Sequence, residues 1–338
     1  MAKLLIITSL ILFSIIGIAA YLKNSKSQEP QVVVSAESTQ IAPIKVELLG
    51  EPEIIEEVVE VVRDTPVNPH EPVTTSWPLD AEDLPTGDRI EQLFTTNDHS
   101  LPYVKTIKYR SRVDWLKGRP AWISDYASHY KTPSHFIARS LHGKGNYYKQ
   151  DISNGDHFNV LDPDKDIEFY LLVDLSRCKL WFYLYDRDSH KRVLLKDYAV
   201  GLGKPDPLKS SGLLTPRGKY SLGNRIVAYK PKMMGPHNGK RVELIRIFGT
   251  RWIPFEKEIS NTTAPAKGFG LHGIPWSDDE NGKLVENVSS LQTYLSDGCI
   301  RMESEDIEEI YAIIASKHSF IELVSDYHDA TLPGEEVQ

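Results

Sequence analysis

Two residues in the carboxy-terminal half, Cys299 and His272, are of types that together can carry out nucleophilic catalysis. A thiol is a weak nucleophile until it loses its proton, so this chemistry needs an imidazole as base, positive potential, and backbone N–H groups facing the attacked carbonyl oxygen. His272 is the predicted base, with Gly273 directly after it. Arg301, two residues after the cysteine, would favour the thiolate if its side chain turns inward.

The residues before the cysteine predict an oxyanion hole. Gly298 allows the backbone to bend, so the amides of Asp297, Gly298 and Cys299 can face one point. Each donor in such a site contributes about 3 to 4 kcal/mol of transition-state stabilisation. Taken alone, a free cysteine is more often a small buried hydrophobe than a nucleophile. The neighbouring residues favour catalysis at Cys299, whereas Cys178 has no such neighbours and is predicted to be structural.

Three further residues are predicted to contact substrate: Ser296 beside the loop, and the aromatic residues Tyr229 and Trp276. Aromatic side chains line grooves, although core packing is the default for each of them. The chain has only two cysteines and no CxxC spacing, which argues against a disulfide framework and against a CxxC zinc or redox site.

The charge of the chain is unevenly distributed. The formal net charge is −8, but residues 27–88 hold 14 acidic residues against Lys45 and Arg63, a net −12 that leaves +4 for the rest. A nearly neutral remainder lacks the basic footprint of a nucleic-acid-binding protein. Residues 27–88 also hold eight of the 21 prolines, a composition typical of a solvated linker.

The first 26 residues predict an export segment. Residues 4–22 are almost unbroken apolar residues flanked by Lys3 and Lys23, and the run approaches the roughly 20 residues that span a bilayer. Its length favours an uncleaved membrane anchor, while small residues near its end leave a cleaved signal peptide as the alternative. The rest of the chain is expected to lie outside the cytoplasm, in the periplasm or cell envelope.

A small α+β module is predicted at residues 109–162. Strand-like residues from Tyr109 to Val113 precede two helical patterns, and apolar residues after Gly155 indicate a closing strand. This order resembles a LysM domain, a module that binds the glycan of peptidoglycan. The resemblance rests on residues 118–123, 130–133, 155–156, Ile137 and Val160. It implies contact with glycan strands; a purely structural packing domain is the alternative.

The carboxy-terminal half is predicted to be mainly β. Residues 167–174 and 179–185 are rich in β-branched and aromatic residues, as in strands of a sandwich core. Turn residues separate further strand patterns, and one clear helix is predicted over about 304–316, with Ile307, Ile310 and Ile314 on one face. The fold class is therefore a β-sandwich domain with one packed helix, preceded by the small α+β module.

Several ordered motifs in this half resemble the L,D-transpeptidase catalytic domain of the YkuD type over residues 165–326. The signature is His272-Gly273 followed downstream by Ser296-Asp297-Gly298-Cys299-Ile300-Arg301. Supporting segments are residues 173–176 with 180–182, residues 200–204, and the Thr-Pro-Arg-Gly-Lys-Tyr stretch at 215–220. The sequence departs from the family at Asp297, where many members have histidine. The 27 positions from His272 to Cys299 also exceed the usual spacing, which predicts an insertion at residues 276–294 beside the cleft.

The resemblance implies acyl transfer on peptidoglycan stem peptides. The Cys299 thiolate would attack a tetrapeptide stem, release the terminal D-alanine and form a thioester, which an amine would resolve into a wall cross-link. Two alternatives remain open: a stem L,D-carboxypeptidase that uses water as acceptor, and a non-catalytic protein that binds peptidoglycan. The acceptor and the chemistry of the stem are not determined by the sequence.

Overall fold

The structure is a computed structural model that describes residues 84–143, 151–223 and 227–337, all within the unit Val73–Gln338. The predicted anchor (1–26) and the predicted linker as far as residue 83 lie outside these ranges. Within them, no helix has both the length and the apolar character needed to cross a membrane.

Strands dominate the described residues, which confirms the mainly β fold class. Their bounds are β1 Val104–Lys108, β2 His157–Leu161, β3 Ile167–Asp174, β4 Lys179–Asp186, β5 Lys191–Ala199, β6 Leu202–Gly203, β7 Gly218–Leu222, β8 Val227–Ala228, β9 Met234–His237, β10 Lys240–Glu243, β11 Arg251–Ser260, β12 Gly270–Gly273, β13 Trp276–Asp278, β14 Leu284–Glu286, β15 Tyr294–Ser296, β16 Ile300–Met302, β17 Ser319–Val324 and β18 Glu335–Glu336. The α-helices are α1 Glu91–Phe94, α2 Ile123–His129, α3 Ser134–His142, α4 Ile245–Phe248 and α5 Ser304–Ile314, with 3₁₀ turns at Val288–Ser290 and Tyr327–Asp329.

A continuous sheet connects the strands of the carboxy-terminal half in the order β16-β12-β11-β7-β17-β3-β4-β5-β18. Strand β11 joins its two parts, because Trp252 to Pro254 pair with β12 whereas Phe255 to Ser260 pair with β7. Register shifts follow Phe255 and Glu258, and such bulges bend a strand and increase its twist. The sheet therefore curls at β11, which places β12 and β16 at one end of it.

Both faces of the central strands are buried. Along β4, Leu180, Phe182 and Leu184 belong to one apolar cluster, and the alternating residues Trp181 and Tyr183 belong to another. Side chains of a strand alternate between the two faces of a sheet. The nearly continuous apolar run in the sequence is thus a strand covered on both sides.

Helix α5 is the packed helix that the sequence predicts, and it ends at Ile314, two residues before the predicted end. Its residues Ile307, Ile310 and Ile314 all belong to the larger apolar cluster. Glu305 and Asp306 lie in the first turn, where negative charge favours a helix N-terminus. The helix follows directly after β16, so it fixes the end of the strand that carries the candidate site.

The small module has the strand, helix, helix, strand order that the sequence predicts, but its first strand is elsewhere. Strand β1 ends at Lys108 and pairs antiparallel with β2, whereas Tyr109 and the residues after it leave the ladder. The Tyr109 hydroxyl donates to the Ala121 carbonyl, and the Ser111 amide donates to the Asn154 side chain. These contacts hold the predicted strand as a loop around the start of α2.

The module and the large sheet share apolar packing. Phe136 of α3 is fully buried in the same cluster as α5 and β3, and the His135 ring meets the Tyr311 ring edge-on at 4.6 Å. The end of the predicted linker is also packed, because the Trp181 indole donates to the Pro85 carbonyl at 2.7 Å. Residues 84–88 are therefore part of the fold and not solvated linker.

Candidate active site

Cys299 lies in a bend between two short strands with different partners. Strand β15 pairs with β6, and β16 pairs with β12, so residues 297–299 bridge two separate ladders. Gly298 adopts φ +118°, and a Cβ there would lie 2.7 Å from the Phe269 ring and 2.8 Å from the Leu214 carbonyl oxygen. Only glycine meets both requirements, which explains why Gly298 precedes the candidate nucleophile.

The Cys299 thiol is half-buried, with its sulfur 3.6 Å from the Gly268 carbonyl oxygen. Burial raises the pKa of this thiol to about 11. The Gly270 amide and the positive charge of Arg301 act in the opposite direction. Arg301 thus favours the thiolate as the sequence predicts, but desolvation has the larger effect and the resting group is a thiol.

The His272 ring has a defined orientation. Its Nδ1 lies 2.7 Å from the carbonyl oxygen of Gly273. A carbonyl oxygen only accepts hydrogen bonds, so Nδ1 carries the proton and Nε2 presents its lone pair. Gly273 therefore contributes its main-chain carbonyl to the predicted catalytic set. A Cβ at Gly273 would lie 2.9 Å from the Thr250 amide nitrogen, so a larger residue would displace this carbonyl.

The pairing of β12 with β16 brings the candidate base and nucleophile into the same part of the sheet. His272 is the Cα partner of Arg301 across this parallel pair. Cys299 lies directly before β16, and its thiol lies beside the main chain of Gly268 and Gly270, where β12 begins. Among the described residues, the sulfur's hydrogen-bond acceptor is Gly268 and not His272.

Burial also controls the protonation of the base. The His272 side chain is only 4% exposed, and desolvation lowers its pKa to about 4. The hydrogen bond to Gly273 opposes this shift, while the nearby charge of Arg301 adds to it. The imidazole is therefore neutral at pH 7, which is the form that can accept a proton.

Arg301 has a half-buried guanidinium beside both groups. Burial lowers its pKa, and the negative charge of Asp297 opposes that shift. Its Nε is buried and has no hydrogen-bond partner in the part of the chain that the structure describes. The side chain thus provides positive potential at the site without being neutralised by a direct ion pair there.

The three amides predicted for the oxyanion hole are not equivalent. The Gly298 amide already donates to the Ser296 hydroxyl at 3.1 Å. The Asp297 and Cys299 amides have no acceptor within the described ranges. In this conformation, two of the three predicted donors are open to an incoming oxygen, and the third one holds the loop.

The sequence predicts that Ser296 contacts substrate, but the structure buries its side chain within the loop. It is 1% exposed, and its hydroxyl donates to the Cys299 carbonyl at 2.6 Å while accepting from Gly298. Both contacts are internal to the loop. The predicted substrate contact is therefore a residue that fixes the shape of the bend around the thiol.

The two predicted aromatic contacts have different positions. The Tyr229 ring stacks on the Phe248 ring at 5.7 Å, one ring away from His272. Trp276 lies in β13, and its indole donates to the Ser304 hydroxyl at the start of α5. Tyr229 is therefore brought to the site, whereas Trp276 supports the neighbouring helix.

Two rings form an aromatic cover over the imidazole, namely Phe248 and Trp252. Their centroids lie 5.5 Å and 5.8 Å from that of His272. Trp252 is also the Cα partner of His272 in the adjacent strand. The contact between Phe248 and His272 could not be predicted from the sequence. The two residues are 24 positions apart, and no local motif indicates that the short helix α4 lies beside β12.

The predicted insertion contains the β13–β14 hairpin, which is attached at both sides. The Arg246 guanidinium pairs with both oxygens of Asp278 at 2.9 and 3.0 Å. The Glu286 carboxylate accepts from the Ser304 amide at 2.6 Å. The hairpin is thus tied to α4, next to the aromatic cover, and to the first turn of α5.

Comparison with known proteins gives one family and one curated relative. The sequence profile of the L,D-transpeptidase catalytic domain family (YkuD) matches residues 168–324. A protein described as a putative L,D-transpeptidase YkuD from Bacillus licheniformis is 28% identical over 157 residues. That match covers 46% of this chain and 65% of the relative, so the chain spans slightly less than two thirds of the relative's length.

Two solved structures are similar over about half of this chain. Bd1075 from Bdellovibrio bacteriovorus aligns with a TM-score of 0.32 and 19% identity, covering 47% of this chain and 48% of that one. The helical cell shape determining protein Pgp2 from Campylobacter jejuni aligns with a TM-score of 0.32 and 17% identity, covering 50% of each chain. The fold assignment rests on the strand pairing described above.

Proposed function

We propose that this chain is a cysteine-dependent L,D-transpeptidase acting on peptidoglycan stem peptides, because residues 168–324 match the L,D-transpeptidase catalytic domain family. One observation supports the proposal: β16, which directly follows Cys299, pairs with β12, which carries His272, and the His272 ring has its Nε2 unprotonated. A neutral thiol beside a neutral imidazole is a nucleophile with its base.

The proposed first half-reaction forms a thioester. His272 Nε2 accepts the thiol proton while the sulfur attacks the carbonyl carbon of the residue before the terminal D-alanine. The Asp297 and Cys299 amides stabilise the oxyanion, and the Arg301 charge supports the negative potential that develops. Collapse of this intermediate breaks the peptide bond, and His272 returns the proton to the departing amine of D-alanine.

The second half-reaction regenerates the enzyme. An amine of a second stem attacks the thioester carbonyl, and His272 accepts a proton from that amine. The carbon–sulfur bond breaks, an amide cross-link forms, and the proton returns to the sulfur. These proposed steps require no metal or organic cofactor.

Accessibility of the thiol is tested by intact mass after treatment with a carbapenem. We expect one adduct on the wild type and on Cys178→Ala, because Cys178 is a buried cysteine whose loss leaves the nucleophile in place. We expect no adduct on Cys299→Ala. An unmodified wild-type protein would exclude an accessible, activated thiol.

The reaction itself is tested with tetrapeptide stems in the presence and absence of an amine acceptor. Cross-linked product that disappears in Cys299→Ala supports the transpeptidase. Free tripeptide as the only product would favour the stem L,D-carboxypeptidase instead. Binding of stems without turnover of either kind would favour the non-catalytic peptidoglycan-binding alternative.

We further propose that the chain acts in the cell envelope, where its substrate is, and contributes to wall biogenesis and cell shape. Attachment to the membrane through residues 4–22 remains a prediction, since that segment lies outside the described residues. Glycan binding by the module at 109–162 is also a prediction, as are the linker character of residues 27–83 and the limits of the catalytic domain at 165–326.

A further inference from the structure

The β9–β10 hairpin projects a short, well-defined turn beside the aromatic cover. Its two-residue loop is Asn238-Gly239, with φ of +49° and +73°. Two positive φ values in an Asn-Gly loop are typical of a type I′ turn, whose twist matches that of the paired strands. The positions of the residues next to the turn are therefore well defined relative to each other.

One side of this hairpin faces the candidate catalytic pair. The His237 ring meets the Phe248 ring edge-on at 5.4 Å, and Phe248 in turn contacts His272. The pKa of Asp297, two residues before Cys299, is lowered mainly by its hydrogen bond to Lys204 and least by His237. The ring contact with Phe248 thus makes the His237 side of the hairpin the side that faces the candidate active site.

Lys240 shares that side. It is the Cα partner of His237, whereas Arg241 is the Cα partner of Pro236. Directly opposed residues of an antiparallel pair project to the same face, and neighbours along a strand project to opposite faces. Lys240 therefore lies on the same side of the hairpin as His237, toward the candidate active site, and Arg241 lies on the other side.

Other cations surround the same opening. Lys204 lies on one side, where its ammonium pairs with Asp297 at 2.9 Å. Lys267 precedes Gly268, whose carbonyl contacts the Cys299 sulfur. Within the described ranges, Lys240 is exposed and makes no ion pair. The Asp297 carboxylate is paired with Lys204, so the residues named here carry a net positive charge from Lys240, Lys267 and Arg301, and positive charge attracts anionic ligands.

We propose that Lys240 is a specificity-determining residue that binds a carboxylate of the acyl-donor peptide, at a position other than the departing residue. This inference rests on the proposed function. The ammonium is a flexible point charge on the cleft side of a fixed turn, so it can meet a carboxylate carried by a peptide that enters between the hairpin and Lys204.

The kinetic test uses one tetrapeptide donor in two forms, with its non-terminal carboxylates free or converted to primary amides. We expect the wild type to show a KM about tenfold lower for the free form. Lys240→Ala should bring the ratio of the two KM values close to 1, and Lys240→Glu should invert it. Arg241→Ala removes the same charge from the other face and should leave the ratio as in the wild type.

A binding test separates this inference from the proposed reaction. In the Cys299→Ser protein, calorimetric titration with the two donors measures selectivity without turnover. If Lys240→Ala abolishes the preference for the free carboxylate, the inference is supported, even if the wild type proves inactive. Inactivity of the wild type would defeat only the proposed function. If the wild type turns over substrate and Lys240→Ala leaves the ratio of the two KM values unchanged, the inference about Lys240 is overturned and the proposed function stands.

Discussion

The Cys299 thiol and the His272 imidazole are both neutral near pH 7, and the reason is burial. Desolvation raises the pKa of the thiol to about 11 and lowers that of the imidazole to about 4. Separating charge between them in this environment is costly. Proton transfer to His272 is therefore expected during attack on the substrate, instead of from a preformed thiolate–imidazolium pair.

This protonation state predicts an unusual acid limit for the reaction. In the proposed mechanism, His272 can act as the base until the pH falls through its folded pKa of about 4. The rate of carbapenem acylation should thus be nearly constant between pH 8 and about pH 5.5 and fall below that. Stopped-flow measurement of acylation against pH checks this expectation. A midpoint close to the ordinary histidine value of 6.5 would contradict it.

Gly298 is the residue whose replacement should be least tolerated at the site. Gly298→Ala combines a left-handed φ with a Cβ 2.7 Å from the Phe269 ring, so we expect a loss of about 2 to 4 kcal/mol of stability. Acylation should fall at least about 100-fold, since the bend presents the thiol and two amides. Urea unfolding and adduct formation measure the two effects.

Gly282→Ala is the matched control for this substitution. It has φ +73° but no atom within 4 Å of the added Cβ, so only backbone strain of about 1 kcal/mol is expected. Equal losses of stability in the two variants would mean that the contacts of Gly298 with its neighbours do not matter.

At the scale of elements, α4 controls the environment of the base through the aromatic cover. Phe248→Ala should admit water to the imidazole and raise the pKa of His272 toward 6.5, because desolvation is the main cause of its low value. The acid limit of acylation should move upward by about one pH unit. The same pH series measures it.

Phe248→Leu keeps an apolar side chain over the ring and is the control for the cover. We expect its acid limit to stay within about 0.3 pH units of the wild type. If both variants shift equally, the edge-on ring contact itself, and not exclusion of water, sets the pKa of His272.

The sequence predicts the elements that have a local pattern and misses those set by tertiary contacts. The helix with Ile307 and Ile310 on one face is recognisable from its spacing, and it forms as predicted. The strand predicted from Tyr109 does not form, because the buried Tyr109 hydroxyl instead bonds the Ala121 carbonyl. An alternating pattern alone could not reveal that contact.

The same distinction holds for the site. The resemblance carried by the motif around Cys299 is confirmed over residues 168–324. The buried role of Ser296 and the cover from Phe248 depend on distances between segments far apart in the chain. The pairing of His237 with Lys240 did have a local signal, the Asn-Gly dipeptide between them, which predicts a tight hairpin.

At the scale of the whole molecule, the small module and the large sheet share one apolar cluster within the described residues. Phe136 from α3 and Phe94 from α1 are packed with residues of β3 and α5, and their rings lie 4.9 Å apart. A cluster with contributions from both regions couples their stabilities. The described part of the chain is therefore expected to unfold in a single transition.

Phe136→Ala tests this coupling. Removal of a fully buried ring should cost about 3 to 5 kcal/mol and lower the unfolding midpoint of the catalytic region as well. Trp122→Ala, on the surface of the same module at 57% exposure, should cost less than about 1 kcal/mol. Urea titration followed by carbapenem labelling reports on the catalytic region. Two separate transitions would contradict shared packing.

The group that orients the His272 ring is the carbonyl of Gly273, and a carbonyl belongs to every amino acid. No substitution can remove this carbonyl, so a mutation can change the tautomer of His272 only by altering the backbone conformation around Gly273. Gly249 is the neighbour that enforces this shape, since a Cβ there would lie 2.5 Å from the Gly273 carbonyl carbon.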